Sequence, residues 1–117
     1  MDFKVIVFAL FCSFSVTAMP ASDNSNEIKY AISYCLSTTY PDSVFAKDAG
    51  YVSGAYLQKG SYGLHVYESI RNFVNDYVKN KYISKHNRDL SIMQCIDLSN
   101  SSALYSEIDK VANKNLQ

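Results

Sequence analysis

Residues 64–82, LHVYESIRNFVNDYVKNKY, decide the fold. Val66, Tyr67, Ile70, Phe73, Val74, Tyr77 and Val78 return at intervals of three and four, which places them on one face of an α-helix. The spacing predicts a central amphipathic helix from about Leu64 to Tyr82. A β reading finds little support, because strict alternation is absent and no Asn-Gly or Asp-Gly hairpin turn occurs.

Working outward from this helix, Gly60-Ser61-Tyr62-Gly63 breaks the chain on its N-terminal side. Before the break, Asp42 or Ser43 can cap a second helix, since either side-chain oxygen can accept an unpaired backbone N–H of the first turn. Its expected buried stripe is Phe45, Ala49, Val52, Ala55 and Tyr56. Gly50 and Gly54 inside it each lower helix propensity by roughly 1 kcal/mol relative to Ala, and close approach by a neighbouring helix is the expected reason. Further upstream Ile28, Ala31, Ile32, Cys35, Leu36 and Thr39 form a first helix that ends before Pro41, with Cys35 on the buried face. Residues 19–26, MPASDNSN, are a short polar lead.

On the C-terminal side, residues 83–90, ISKHNRDL, lose the helical period and predict an exposed polar loop. Asp89 or Asn87 can cap a fourth helix containing Leu90, Met93, Cys95 and Ile96. Ser99-Asn100-Ser101 separates it from a fifth that carries Leu104, Ile108 and Val111. No internal repeat is visible. The fold class expected is all-α, a compact bundle of about five helices.

The N-terminus has different grammar. Asp2 and Lys4 are followed by a nearly charge-free apolar run, Val5 to Val16, and then by small residues around Thr17, so residues 1–18 read as a cleavable signal peptide. The run is about 12 residues, against the roughly 20 that a spanning helix needs. Cleavage after Ala18 fits best, and Ala21 is the second site. Cys12 is not a lipid-attachment site, because Phe11 precedes it where a small residue is required. Residues 19–117 are then one exported helical domain that needs no membrane once the signal is gone.

The whole chain has 11 basic and 11 acidic side chains, and the signal removes one of each. A neutral domain is not expected to bind nucleic acid or anionic lipid through a basic patch. Export leaves two cysteines, Cys35 and Cys95, an even number in an oxidising compartment, and they read as one disulfide joining the first helix to the fourth. Closing a loop of about 61 residues stabilises the fold by about 4 kcal/mol in the chain-entropy picture.

Candidate chemistry is sparse. His65 and Glu68 lie three apart in the first turn of the third helix, but two ligands do not make a zinc site, and HEXXH and paired CXXC motifs are absent. Asp48, Asp76, Asp97, Glu107 and Asp109 are scattered among helices, with Asp48 the one expected to be partly buried. Phosphate-binding glycine loops are absent. No cofactor or metal is expected. Tyrosine is abundant, ten residues against no tryptophan, and its ring with a hydroxyl suits core rims and protein interfaces.

Four stretches carry a resemblance: Tyr34-Cys35, KDAGYVSGAYLQKG from Lys47, YESIRNFVNDYV from Tyr67, and YISKHNRDLSIMQCIDL from Tyr82. In this order and spacing they resemble the type VI secretion amidase immunity family, in particular its fourth group. The resemblance implies a periplasmic, all-helical, non-enzymatic protein that guards a bacterium against an injected peptidoglycan amidase. That toxin resembles papain-like cysteine peptidases that cut the D-glutamate to diaminopimelate bond of the cell wall. The resemblance further implies a homodimer and a loop placed in the toxin's catalytic cleft. Carried onto this chain, the loop is Ser84, Lys85, His86, Asn87 and Arg88. Ser84, His86 and Asn87 would hydrogen-bond the toxin's Cys/His centre, and Lys85 and Arg88 would pair with carboxylates at the cleft. Composition and periodicity alone leave open a small secreted enzyme or effector, and a periplasmic adaptor or ligand-binding domain.

Overall fold

A computed structural model describes residues 24–114. The expected signal peptide, its cleavage sites and Cys12 lie outside the described residues. Five α-helices follow one another: α1 Ser25–Thr38, α2 Val44–Lys59, α3 Leu64–Tyr77, α4 Ser91–Ile96 and α5 Ser102–Asn113, with a 3-10 turn, Asp97–Asn100, between the last two. The all-α bundle is therefore as expected. Among the described residues no helix is long and apolar enough to cross a membrane.

Helix α1 is the hub, packing on α2, α3, α4 and the 3-10 turn, while α5 lies against α3. Ile28, Ala31 and Cys35 of α1 meet Val66, Tyr67, Ile70 and Val74 of α3 in one core. Leu98, Leu104 and Ile108 close it from the C-terminal side. The α3 stripe is the one read from the period, with Phe73, Tyr77 and Val78 at its half-buried margin.

Each helix end has a local cause. Ser37, Thr38 and Thr39 turn their hydroxyls back onto the carbonyls of Tyr34, Cys35 and Leu36 at 2.6–2.7 Å, so the last turn of α1 is satisfied by its own side chains. Tyr40 and Asp42 then take left-handed backbone conformations, φ 45° and 70°, on either side of Pro41. Of the two caps considered for α2, Ser43 is the one used, its hydroxyl accepting from the Ala46 N–H at 3.0 Å. Ser101 caps α5 in the same way through the Leu104 N–H.

Helix α2 corrects the expected stripe. Its buried residues are Ala46, Ala49 and Ser53, whereas Phe45 is 45 % exposed and Val52 38 %. Small side chains let α2 lie close on α1, and Ser53 enters that contact because its hydroxyl donates to the Gly50 carbonyl at 2.7 Å. The larger apolar residues consequently point outward. Gly50 and Gly54 are corrected too: a Cβ at either would meet nothing within 4 Å, so no neighbouring helix requires them. The glycine that packing does require is Gly60, where a Cβ would collide with Tyr67 Oη and come within 3.3 Å of Glu27 Oε1.

The predicted cysteine pair is present. Cys35 and Cys95 form a disulfide with their Cα atoms 5.4 Å apart, tying α1 to α4. Both cysteines are fully buried. In α4 the adjacent Gln94 takes the second buried place, and Met93 and Ile96 are turned to solvent.

Candidate functional site

The third helix stops at Tyr77 rather than near Tyr82, and the reason lies across the fold. A helix leaves its last carbonyls without partners. Gln94 supplies the partner of the last one: its Nε2 donates to the Tyr77 carbonyl at 3.1 Å and, in the turn just beyond the helix, to the Asn80 carbonyl at 3.0 Å. Its Oε1 accepts from the Tyr82 N–H at 3.3 Å. Tyr77 returns the contact, its hydroxyl donating to the Gln94 carbonyl at 2.9 Å and sharing a 3.3 Å bond with Tyr82 Oη. Burial, reinforced by the bond to Tyr82, pushes the Tyr77 phenol well above its ordinary range.

Beyond this clamp the connector folds back on itself. The Leu90 N–H donates to the Tyr82 carbonyl at 3.0 Å, and Ile83 and Asp89 form an antiparallel bridge. Inside it, the Ser84 N–H donates to the Arg88 carbonyl at 2.9 Å and the Asn87 N–H to the Ser84 carbonyl at 3.0 Å. Ser84 Oγ accepts from the backbone N–H groups of Arg88, at 3.0 Å, and His86, at 3.3 Å. Asn87 takes a left-handed conformation, φ 60°, which Asn tolerates better than most residues.

The five residues singled out in the sequence are thus brought together on one hairpin-like loop. Lys85, His86, Asn87 and Arg88 are exposed at its tip, and Ser84 is half-buried at its neck with its hydroxyl turned inward. Asp89, one of the two caps considered for α4, accepts from the Ser91 N–H at 3.0 Å and from the Ser91 hydroxyl. From Lys79 to Arg88 the chain carries four permanent cations, Lys79, Lys81, Lys85 and Arg88, and no acid. Only Lys79 of these has an ion-pair partner among the described residues, Asp76 at 2.9 Å. A cleft of about 340 Å³ lies beside the loop's base, lined by Thr39, Tyr40, Lys81, Asp89 and Gln94 among others.

The other candidate residues stay apart. His65 and Glu68 are both exposed, and so is Asp48, which corrects the expectation of partial burial. Glu107 accepts from Ser69 at 2.8 Å and Asp109 from Asn24 at 3.2 Å, so these carboxylates serve the packing of α5. Among the described residues no three His, Cys, Asp or Glu side chains are placed to hold a metal ion.

Sequence reasoning missed Gln94. Its signal is faint: a lone polar residue beside Cys95 within the apolar stretch Ile92 to Ile96. It also missed Glu27, a buried carboxyl in the first turn of α1, whose Oε1 accepts from Tyr67 Oη at 3.1 Å.

Comparison with known proteins agrees with this architecture. Residues 25–116 match the family model described as Tai4, type VI secretion system (T6SS) amidase immunity protein. Among solved structures, a chain of the effector–immunity system Tae4/Tai4 from Salmonella typhimurium, in its selenomethionine variant, is similar. It is 28 % identical, with a TM-score of 0.68 over 78 % of this chain and 90 % of that one. Comparison with curated proteins gives no match.

Proposed function

The chain belongs to the type VI secretion system amidase immunity family, and from that premise we propose that it silences its cognate amidase by seating the Ser84–Arg88 loop in the enzyme's cleft. The protein is an inhibitor and not an enzyme, as its family is. Its partner is an effector amidase, as in the Salmonella effector–immunity system to which it is similar.

The observation that carries the reading is the loop itself. It is closed by its own backbone bonds and exposes Lys85, His86, Asn87 and Arg88 at the tip. A segment already ordered loses little entropy on binding, so its contacts are less offset. Lys85 and Arg88 pair with carboxylates at the cleft rim, while His86 and Asn87 hydrogen-bond groups of a Cys/His centre. Ser84 braces the tip from within. Substrate is excluded by occupation, without any covalent step.

Residues 1–18 export the protein to the periplasm, where the cell wall is attacked and where Cys35 and Cys95 are oxidised. Two copies pair through the outward face of α2, where Val44 is 84 % and Tyr51 81 % exposed beside Phe45 and Val52. Isolated large apolar residues on a surface are ordinary, whereas several along one helix face mark a partner.

Replacement of residues 84–88 by a Gly/Ser linker tests the loop. Loss of inhibition and of complex formation with the cognate amidase is expected, and unchanged binding overturns the assignment. A chain lacking residues 1–18 should leave the cell unprotected against periplasmic lysis even where it folds.

A further inference from the structure

Helix α4 has only six residues, too few to hold a helix by itself. It is held covalently at Cys95. The residue just before that anchor is Gln94, only 2 % exposed, and its amide reaches across to three backbone groups of the segment leading into the loop. Both amide hydrogens and the amide oxygen are used. One contact takes the last carbonyl of α3, that of Tyr77, a second holds the Asn80 carbonyl in the turn beyond it, and the third fixes Tyr82, whose own carbonyl receives the Leu90 N–H and so closes the loop. One side chain therefore sets where the helix stops and where the hairpin begins.

We propose that Gln94 is the positioning residue of the Ser84–Arg88 loop, transmitting the rigidity of the Cys35–Cys95 anchor to the loop's base so that the loop meets the amidase already ordered. The inference rests on the loop reading given above. Apolar packing alone would not do this, because a hydrocarbon in place of the amide leaves the Tyr77 and Asn80 carbonyls and the Tyr82 N–H to find other partners. The tip residues then sample many conformations, and binding must order them first.

The test compares the full exported protein with Gln94→Met, which keeps side-chain length and removes all three amide contacts. An Ile108→Ala variant, altered in the core away from the loop, supplies a control of lowered melting temperature. Amide exchange of residues 82–90 and affinity for the purified cognate amidase are measured for each. In Gln94→Met, faster exchange at Tyr82, Ser84, Asn87 and Leu90 is expected, with affinity weakened at least about tenfold. The Ile108→Ala control should keep both loop protection and affinity. Wild-type affinity in Gln94→Met, or weakened affinity with unchanged loop exchange, overturns the proposal. The wild-type protein gives a check that needs no variant, because a Tyr82 amide exchanging at the rate of an unstructured chain also overturns it. If the Gly/Ser loop replacement binds normally, the loop reading itself has failed. If that replacement abolishes binding while Gln94→Met binds as wild type, only the role of Gln94 falls.

Discussion

Tyr67 Oη donates a 3.1 Å hydrogen bond to Glu27 Oε1, joining α3 to the first turn of α1 with both side chains buried. Glu27 Oε2 has no hydrogen-bond partner among the described residues, so the tyrosine is a main compensation for a carboxyl taken out of water. The N-terminal turn helps, since the helix dipole favours negative charge there. Tyr67→Phe should lower unfolding free energy by about 2 kcal/mol, because it strands a buried acceptor. Tyr105→Phe, which removes an exposed bond to the Ser99 carbonyl, should change it by less than about 0.5 kcal/mol. Urea denaturation of the two variants distinguishes them.

The same junction needs Gly60. A methyl group there lands on Tyr67 Oη, so Gly60→Ala should destabilise by about 1–3 kcal/mol through overpacking. Gly54→Ala is its opposite. That position is helical and open, with nothing within 4 Å of an added Cβ, and alanine should stabilise α2 by up to about 1 kcal/mol. Thermal melting of both variants checks the signs, and a stabilised Gly60→Ala would refute the packing described.

Alkaline pH should unfold the protein early. Burial, as the first cause, raises the phenol pKa of Tyr30, Tyr62, Tyr67 and Tyr77 above the ordinary 10.0, with Glu27 adding to the rise at Tyr62 and Tyr67. The unfolded chain then releases these protons at lower pH than the native one, so above the ordinary value it holds fewer protons and stability falls as pH rises. The tyrosine contribution is fully present below about pH 10 and is lost progressively above it. Denaturation midpoints across this range should fall, and Tyr77→Phe should flatten the fall.

Reduction tests the brace. Removing the disulfide, as in Cys35→Ala with Cys95→Ala, should lower stability by about 4 kcal/mol, because the unfolded chain regains the freedom that the closed loop denies it. Residues 82–96 should lose amide protection before the α1–α3 core does, because α4 is short and the disulfide is its anchor. Equal loss everywhere would speak against that anchoring role.

The outward face of α2 is testable by charge. Val44→Asp combined with Tyr51→Asp should convert a dimer to monomers in sedimentation, since like charges would meet across a two-fold contact. Helix content should not change, because neither side chain is part of the core. A dimer that survives the pair of substitutions excludes this face.

Period and the expectation of export carried much of the fold into view. The α3 stripe, the α5 stripe of Leu104 and Ile108, and the disulfide between Cys35 and Cys95 were legible, because apolar spacing and cysteine parity are local or compositional facts. The face that α2 buries was not legible. Ala46, Ala49 and Ser53 form a stripe too small to outweigh Phe45 and Val52 by hydrophobicity, and only the close approach of α1 selects it.

The candidate loop divides along the same line. Its location and exposure follow from residues 83–90 losing the helical period, and its basic character can be read residue by residue. Its shape cannot. Tyr77, Val78 and Tyr82 continue an acceptable helical pattern, and what meets the end of the helix is an amide 17 residues beyond Tyr77 that takes its last carbonyl. Sequence alone determined which segments are helical, because that depends on neighbours along the chain, and which two cysteines brace them, because only two remain once the expected signal peptide is set aside. Where α3 stops, which face of α2 is covered, and how the loop is held were decided by tertiary structure, because buried hydrogen-bonding groups and close packing must be satisfied by whatever the fold brings near.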